Sequence, residues 1–79
     1  MDQPRTPLEI DLVRLYRRTT GAAEVGVDDD FFAVGGSSVT AIDVVTEIHE
    51  QFGVELSLDT FFELATVAKV AAFLVGAGH

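Results

Sequence analysis

The sequence of 79 residues has no cysteine, no tryptophan and only two prolines. Without cysteine, neither a disulfide framework nor a thiolate metal site can stabilise the chain. A chain of this size buries only about 60% of the surface that its unfolded form would expose, so it has room for one compact core and no second lobe. Its stability must come from the packing of its own elements, which a hydrophobic fraction of 48% can supply.

Long apolar runs are also missing. No stretch approaches the roughly 18 consecutive apolar residues of a membrane span, and the segment 1–5 lacks the hydrophobic region of a signal peptide. We therefore expect a soluble, cytoplasmic protein.

Basic residues are scarce and lie mostly at one end. The net charge is -8, and between Thr20 and Thr66 there are ten acids and no lysine or arginine. Such a surface repels phosphate backbones and anionic lipids, which argues against nucleic acid and membranes as partners, and it attracts proteins with a basic patch. The simpler interpretation, that the acids only confer solubility, stays open.

Hydrophobic periodicity and capping residues indicate four helices and no strand. Thr6-Pro7-Leu8-Glu9 is typical of a helix start, and Gly21 and Gly53 suit helix ends. We predict helices at about 7–19, 38–52, 59–64 and 67–75, with a long loop over 20–37.

Two aromatic residues in the loop and one stripe on the second helix predict the core. Phe31 and Phe32 are too apolar to be left in water, so at least one should anchor the loop. On the second helix, an arc of roughly 100° should face the core, and we expect Phe52 to be buried there. The residues of this arc are Ala41, Val44, Val45, Ile48 and Phe52.

Ser38 follows two glycines and Ser37 at the predicted start of the second helix, which raises the question of a hydrolase. His49 lies eleven residues along the same helix, roughly 16 Å away at 1.5 Å per residue, and cannot act as its base. The sequence lacks the glycine two residues after the serine that a nucleophile elbow requires. Two isolated histidines, His49 and His79, without cysteine make no metal site, and the glycine pair lacks the lysine of a P-loop.

We therefore expect no catalysis and no metal. On the local pattern alone, Ser37 and Ser38 are either helix caps or the attachment point of a phosphodiester, which the amides of a helix start favour.

One continuous motif resembles a known family. It consists of Asp30-Phe31-Phe32-Ala33-Val34-Gly35-Gly36-Ser37-Ser38-Val39-Thr40-Ala41, followed by a helix that ends in Phe52-Gly53-Val54. These residues resemble the phosphopantetheine-binding carriers of fatty acid, polyketide and nonribosomal peptide assembly, and the resemblance extends from Leu8 to Leu74.

The resemblance implies an all-α, four-helix bundle of the acyl carrier protein type, with a long ordered loop between helices 1 and 2 and a short third helix. It also implies that a phosphopantetheinyl transferase attaches 4′-phosphopantetheine from coenzyme A to Ser38. The thiol of that arm then holds an aminoacyl, peptidyl or acyl group as a thioester.

Within the family, the Asp-Phe-Phe sequence and the glycine pair resemble the peptidyl carriers of nonribosomal peptide synthesis. Ser37 departs from the aspartate or histidine that usually precedes the modified serine. The initial methionine and the short tail resemble a free-standing carrier, although an excised domain given a start codon would look identical. A discrete polyketide acyl carrier protein and an acidic helical adaptor without a prosthetic group are the alternatives.

The resemblance also implies partners for a monomeric carrier. They are the phosphopantetheinyl transferase, an adenylation or acyltransferase loading enzyme, and condensation, ketosynthase, tailoring or thioesterase enzymes. Val39 and Ile42 lie outside the core arc and would serve as apolar anchors, with nearby acids steering a basic partner. The predicted partner face consists of Ser37, Val39, Ile42, Asp43, Glu47, Glu50 and Phe61.

Overall fold

The computed structural model describes residues 6–78 and contains four helices. They are α1 (Pro7–Thr20), α2 (Ser38–Phe52), α3 (Leu58–Leu64) and α4 (Val67–Gly76). Each bound lies within one residue of its predicted position, and the all-α, four-helix fold is confirmed. Over residues 6–78 the β pairing is limited to an isolated antiparallel bridge between Asp30 and Thr66.

Each helix begins at a hydroxyl side chain that accepts a hydrogen bond from the backbone amide three residues later. These side chains satisfy amides that have no partner within the helix. The four caps are Thr6, Ser37, Ser57 and Thr66. At the other end, α1 and α2 stop at Gly21 and Gly53, both in the left-handed conformation that glycine adopts without strain. Local sequence therefore sets both ends of the helix that Ser38 opens.

The core lies between one face of each helix. Its helical members are Leu12, Leu15 and Tyr16 of α1, Ala41, Val44 and Ile48 of α2, Phe61 of α3, and Val67, Val70, Ala71 and Leu74 of α4. The predicted stripe on α2 is thus correct for Ala41, Val44 and Ile48, whereas Val45 is only partly buried and packs against the margin of the core. Phe52, however, is partly exposed, so the prediction that it is buried is wrong. It is the last residue of α2 and packs against the margin of the core.

The loop between α1 and α2 is held by its aromatic anchor, as predicted. Phe31 is fully buried and packs edge-on against Tyr16, with 5.0 Å between ring centroids, and against Phe61, with 5.2 Å. The loop also bonds to the start of α4, because the amide of Ala68 donates to the carbonyl oxygen of Val27 over 2.9 Å. These contacts fix the segment that leads into α2.

The two phenylalanines of α3 occupy opposite environments. Phe61 is 0% exposed and contacts the rings of Tyr16 and Phe31, whereas Phe62 is 40% exposed. The prediction that Phe61 belongs to the partner face is therefore wrong. A helix of seven residues is too short for periodicity to show which of two adjacent phenylalanines faces inward.

No helix within residues 6–78 combines the length and the apolar character needed to cross a bilayer.

Candidate functional site

The turn before α2 requires both of its glycines. Gly35 has φ +112°, a conformation that residues with a side chain rarely adopt. At Gly36 a Cβ atom would overlap the ring of Phe31 and would lie 2.6 Å from its carbonyl oxygen. The amide of Gly36 donates to that same oxygen over 2.9 Å. The chain therefore passes directly over the buried Phe31 ring, and this path places Ser37 and Ser38 at the start of α2.

The side chain of Ser37 caps the first turn of α2. Its Oγ accepts a hydrogen bond from the amide of Thr40 over 3.3 Å, and the Oγ1 of Thr40 accepts one from the amide of Ser37 over 2.8 Å. This reciprocal pair is a capping box, with threonine at the position more often held by glutamate. The cap explains why serine suits position 37.

Ser38 is in a different position although it is the next residue. It is the first residue of α2, it is exposed, and its hydroxyl has no hydrogen-bond partner within residues 6–78. Sequence alone left both serines as possible caps. The structure separates them, because one hydroxyl is used by the helix and the other is available.

The surroundings of Ser38 suit an attached anion. The first amides of a helix point outward without a helical partner, and the helix dipole places partial positive charge there. No acidic residue lies in the first turn of α2 to oppose an anion. A phosphodiester on Ser38 would therefore lie in a favourable field.

No histidine of the described residues lies beside this hydroxyl. His49 lies in the last turn of α2, at the opposite end from Ser38, and His79 lies outside the described residues. Within residues 6–78, no group of three or more histidine, aspartate or glutamate side chains could hold a metal ion.

The exposed side of α2 carries the apolar pair expected from the sequence. Val39 is 71% exposed and Ile42 is 51% exposed, while Asp43 and Glu50 are also on the surface. Glu47 is less available than expected, because its Oε2 lies 3.3 Å from the Nη2 of Arg18 and accepts a hydrogen bond from Gln51. Sequence reasoning missed Phe62 as an exposed apolar residue, although only one of two adjacent phenylalanines on a short helix can face the core.

Comparison with known proteins gives a consistent result. The family model for the phosphopantetheine attachment site matches residues 11–74. A dimodular nonribosomal peptide synthase of Bacillus subtilis (strain 168) is 44% identical over 71 residues, which is 90% of this chain but 3% of that protein. The chain spans between 1% and 6% of the lengths of these curated relatives that it matches.

Solved structures agree with the fold. One match is to a chain in the complex of the phosphopantetheine transferase Sfp with coenzyme A and a peptidyl carrier protein. It has a TM-score of 0.92 and 28% identity, and the match covers 96% of this chain and 99% of that one. Another is BlmI, a type-II acyl carrier protein from Streptomyces verticillus involved in bleomycin biosynthesis. Its TM-score is 0.83 with 32% identity, covering 91% of this chain and 87% of BlmI.

Proposed function

This chain belongs to the phosphopantetheine attachment family, and we propose that Ser38 is the residue that carries the 4′-phosphopantetheine group. Members of the family are carriers and not catalysts. When bound, the group supplies a thiol that holds the carried intermediate as a thioester.

The observation that supports Ser38 is the difference between two adjacent serines. The hydroxyl of Ser37 is engaged by Thr40, whereas that of Ser38 is exposed, without a partner in residues 6–78, and located at a helix start that favours an anion. In the proposed transfer, the Oγ of Ser38 attacks the phosphorus of coenzyme A that bears the pantetheine. A new P–O bond forms, the bond to the adenosine bisphosphate leaving group breaks, and a base of the transferase takes the serine proton.

The carried group that we propose is aminoacyl or peptidyl. The relatives that support this are nonribosomal peptide synthases, including the dimodular protein at 44% identity. An adenylation enzyme would then load the arm, and condensation, tailoring or thioesterase enzymes would use the product. A discrete polyketide acyl carrier, with an acyltransferase and a ketosynthase as partners, is the second candidate. The likeness to BlmI, a type-II acyl carrier protein, supports the acyl-carrier part of this candidate. Action in the cytoplasm, as expected from the sequence, stays a prediction.

Enzymes that act on the arm must approach Ser38, so we place their docking surface on the exposed side of α2. Val39 and Ile42 supply apolar contact area beside Ser38, and Asp43 and Glu50 would attract a basic patch. Glu47 contributes less than its position implies, because Arg18 partly neutralises it.

The test is the intact mass of the protein after incubation with coenzyme A and a promiscuous phosphopantetheinyl transferase. We expect a gain of one phosphopantetheine group, located at Ser38 by peptide mapping. Ser38→Ala should show no gain, and the matched control Ser37→Ala should still be converted. Conversion of Ser38→Ala, or a block in folded Ser37→Ala alone, would refute the assignment. No gain in the unaltered chain would favour the adaptor function.

A further inference from the structure

The outer face of α1 has a charge opposite to that of most of the chain. Ile10, Arg14 and Arg17 are spaced by four and three residues, so they lie on one side of the helix. All three are exposed, and Ile10 is 39% exposed despite its size. The buried residues of α1, namely Leu12, Leu15 and Tyr16, lie on the other side. We call Ile10, Arg14 and Arg17 the arginine face.

Contacts among residues 6–78 do not explain this face. Over residues 6–78, the single ion pair joins Arg18 to Glu47, and neither Arg14 nor Arg17 has a carboxylate within 4.0 Å. Arg17 lies in the last turn of α1, where a cation favours the helix dipole. That effect fades beyond the last turn, so it accounts for neither Arg14 nor the exposed Ile10.

We propose that the arginine face is a second docking surface, and that it binds an acidic, partly apolar surface of another protein. A planar guanidinium group binds a carboxylate through two parallel hydrogen bonds. Protein interfaces also favour arginines that lie beside an exposed aliphatic side chain. An acidic partner would be repelled by the ten acids of the segment 20–66 and attracted only where the arginines lie.

The sign of the charge separates this surface from the exposed side of α2. A basic enzyme patch attracted by Asp43 and Glu50 is repelled by Arg14 and Arg17, so a partner complementary to one surface does not suit the other. The two surfaces also lie on different helices. An acidic partner could therefore hold the carrier by α1 while an enzyme acts at Ser38.

Other occupants of the arginine face are less favoured. Two copies of a chain with a net charge of -8 repel each other, which opposes self-association through this face. Polyphosphates would pair with the arginines alone, because the exposed Ile10 is apolar and offers them nothing to bind. Both become outcomes of the test.

The test is an NMR titration of the isotopically labelled chain with a synthetic amphipathic helical peptide of glutamate and leucine. We expect saturable shifts of the backbone amides of residues 10–17, and binding that weakens as salt is added. Arg14→Glu and Arg17→Glu should each weaken binding by about tenfold, because attraction becomes repulsion. Ile10→Ser should weaken it without changing its dependence on salt.

Lys69→Glu is the matched control, since it changes the charge equally at an exposed residue of α4. Equal weakening in Lys69→Glu would refute the proposal, because binding would then follow net charge. Shifts confined to α2, no saturable binding, or equal binding of inorganic tripolyphosphate would also refute it. So would concentration-dependent shifts without peptide that Arg14→Glu removes, because they would identify a second copy as the occupant.

The proposal does not depend on the attachment at Ser38. We expect Arg14→Glu and Arg17→Glu to be converted by the transferase as the unaltered chain is. Arg14→Glu should melt at a similar temperature, and Arg17→Glu a few degrees lower, because it reverses a charge that favours the dipole of α1. Failure of the unaltered chain to gain the group would refute the function at Ser38 and leave the arginine face intact.

Discussion

The hydroxyl of Tyr16 donates a hydrogen bond to the carbonyl oxygen of Ala65 over 2.8 Å. The same oxygen accepts a bond from the amide of Phe31 over 3.2 Å. Ala65 has φ +57°, and the amide of Thr66 bonds back to the oxygen of Leu64, so a tight γ-turn presents this carbonyl between α3 and α4. One oxygen thus joins α1, the long loop and the α3–α4 turn.

Tyr16→Phe tests that junction. The substitution keeps the ring in the core and removes the donor, leaving the oxygen of Ala65 with one bond, and we expect it to cost about 1 to 2 kcal/mol. Urea denaturation measures the change. Conversion at Ser38 should be unaffected in the folded variant, since the hydroxyl of Tyr16 is used within the core. Unaltered stability would show that the bond contributes nothing.

The stability of the protein at alkaline pH gives a second test of the contribution of Tyr16. Burial, with a smaller contribution from the negative charge of Asp30, raises the pKa of Tyr16 well above its ordinary value of 10.0. The unfolded chain loses the phenolic proton near pH 10, while the folded chain keeps it. The contribution of Tyr16 to stability is therefore complete below pH 10 and falls above it, by up to about 1.4 kcal/mol per pH unit.

Absorbance of the phenolate measures this directly, because Tyr16 is the only tyrosine and the chain has no tryptophan. We expect the phenolate to appear together with unfolding, as followed by circular dichroism. Ionisation of Tyr16 near pH 10 in the folded protein would contradict the prediction. Tyr16→Phe should lose stability less steeply above pH 10 than the unaltered chain.

Gly36→Ala should damage the turn before Ser38. The added methyl group would overlap the ring of Phe31, which is fully buried and cannot move without disturbing the core. We expect a loss of about 2 kcal/mol or more in urea denaturation, with slower conversion at Ser38.

Gly76→Ala is the control, since nothing lies within 4 Å of a Cβ atom there and its φ is not in the positive range. Its stability should be unchanged or up to about 1 kcal/mol higher. Equal effects in both variants would remove the steric argument.

Phe61→Ala and Phe62→Ala compare two adjacent residues of α3. The first should cost about 3 to 5 kcal/mol, because it leaves a cavity among the rings of Tyr16 and Phe31. The second removes a partly exposed ring and should cost about 1 kcal/mol or less. Thermal melting distinguishes them, and a reversed order would mean that α3 is rotated.

Local signals predicted the helices, and long-range packing decided what the sequence left open. Caps such as Thr6 and stops such as Gly53 act within one turn, so each helix bound could be predicted to within one residue. Phe61 and Phe52 were assigned wrongly because their burial depends on contacts with Tyr16 and with the margin of the core. The different roles of Ser37 and Ser38 likewise depend on which hydroxyl reaches Thr40, and two adjacent serines at a helix start do not reveal this from their sequence alone.

The last prediction concerns the exposed side of α2, where substitutions should impair recognition by a partner enzyme without lowering the stability of the fold. Val39→Ala and Ile42→Ala should change stability by about 0.5 kcal/mol, because both side chains are mostly in water. Each should nevertheless slow transfer to or from a partner enzyme, measured as the rate of thioester loading on the modified chain. Ile48→Ala is the control, since its side chain is fully buried and its loss should cost about 2 to 5 kcal/mol.

The charge at this surface should appear in the same assay, because attraction between separated surface charges is screened beyond about 8 to 10 Å at physiological ionic strength. Loading should therefore slow as salt is added. Asp43→Asn should reduce that dependence more than Glu47→Gln, because Glu47 is already paired with Arg18. Normal loading of Val39→Ala and Ile42→Ala would refute this docking surface, and partner recognition would then have to lie on another part of the molecule.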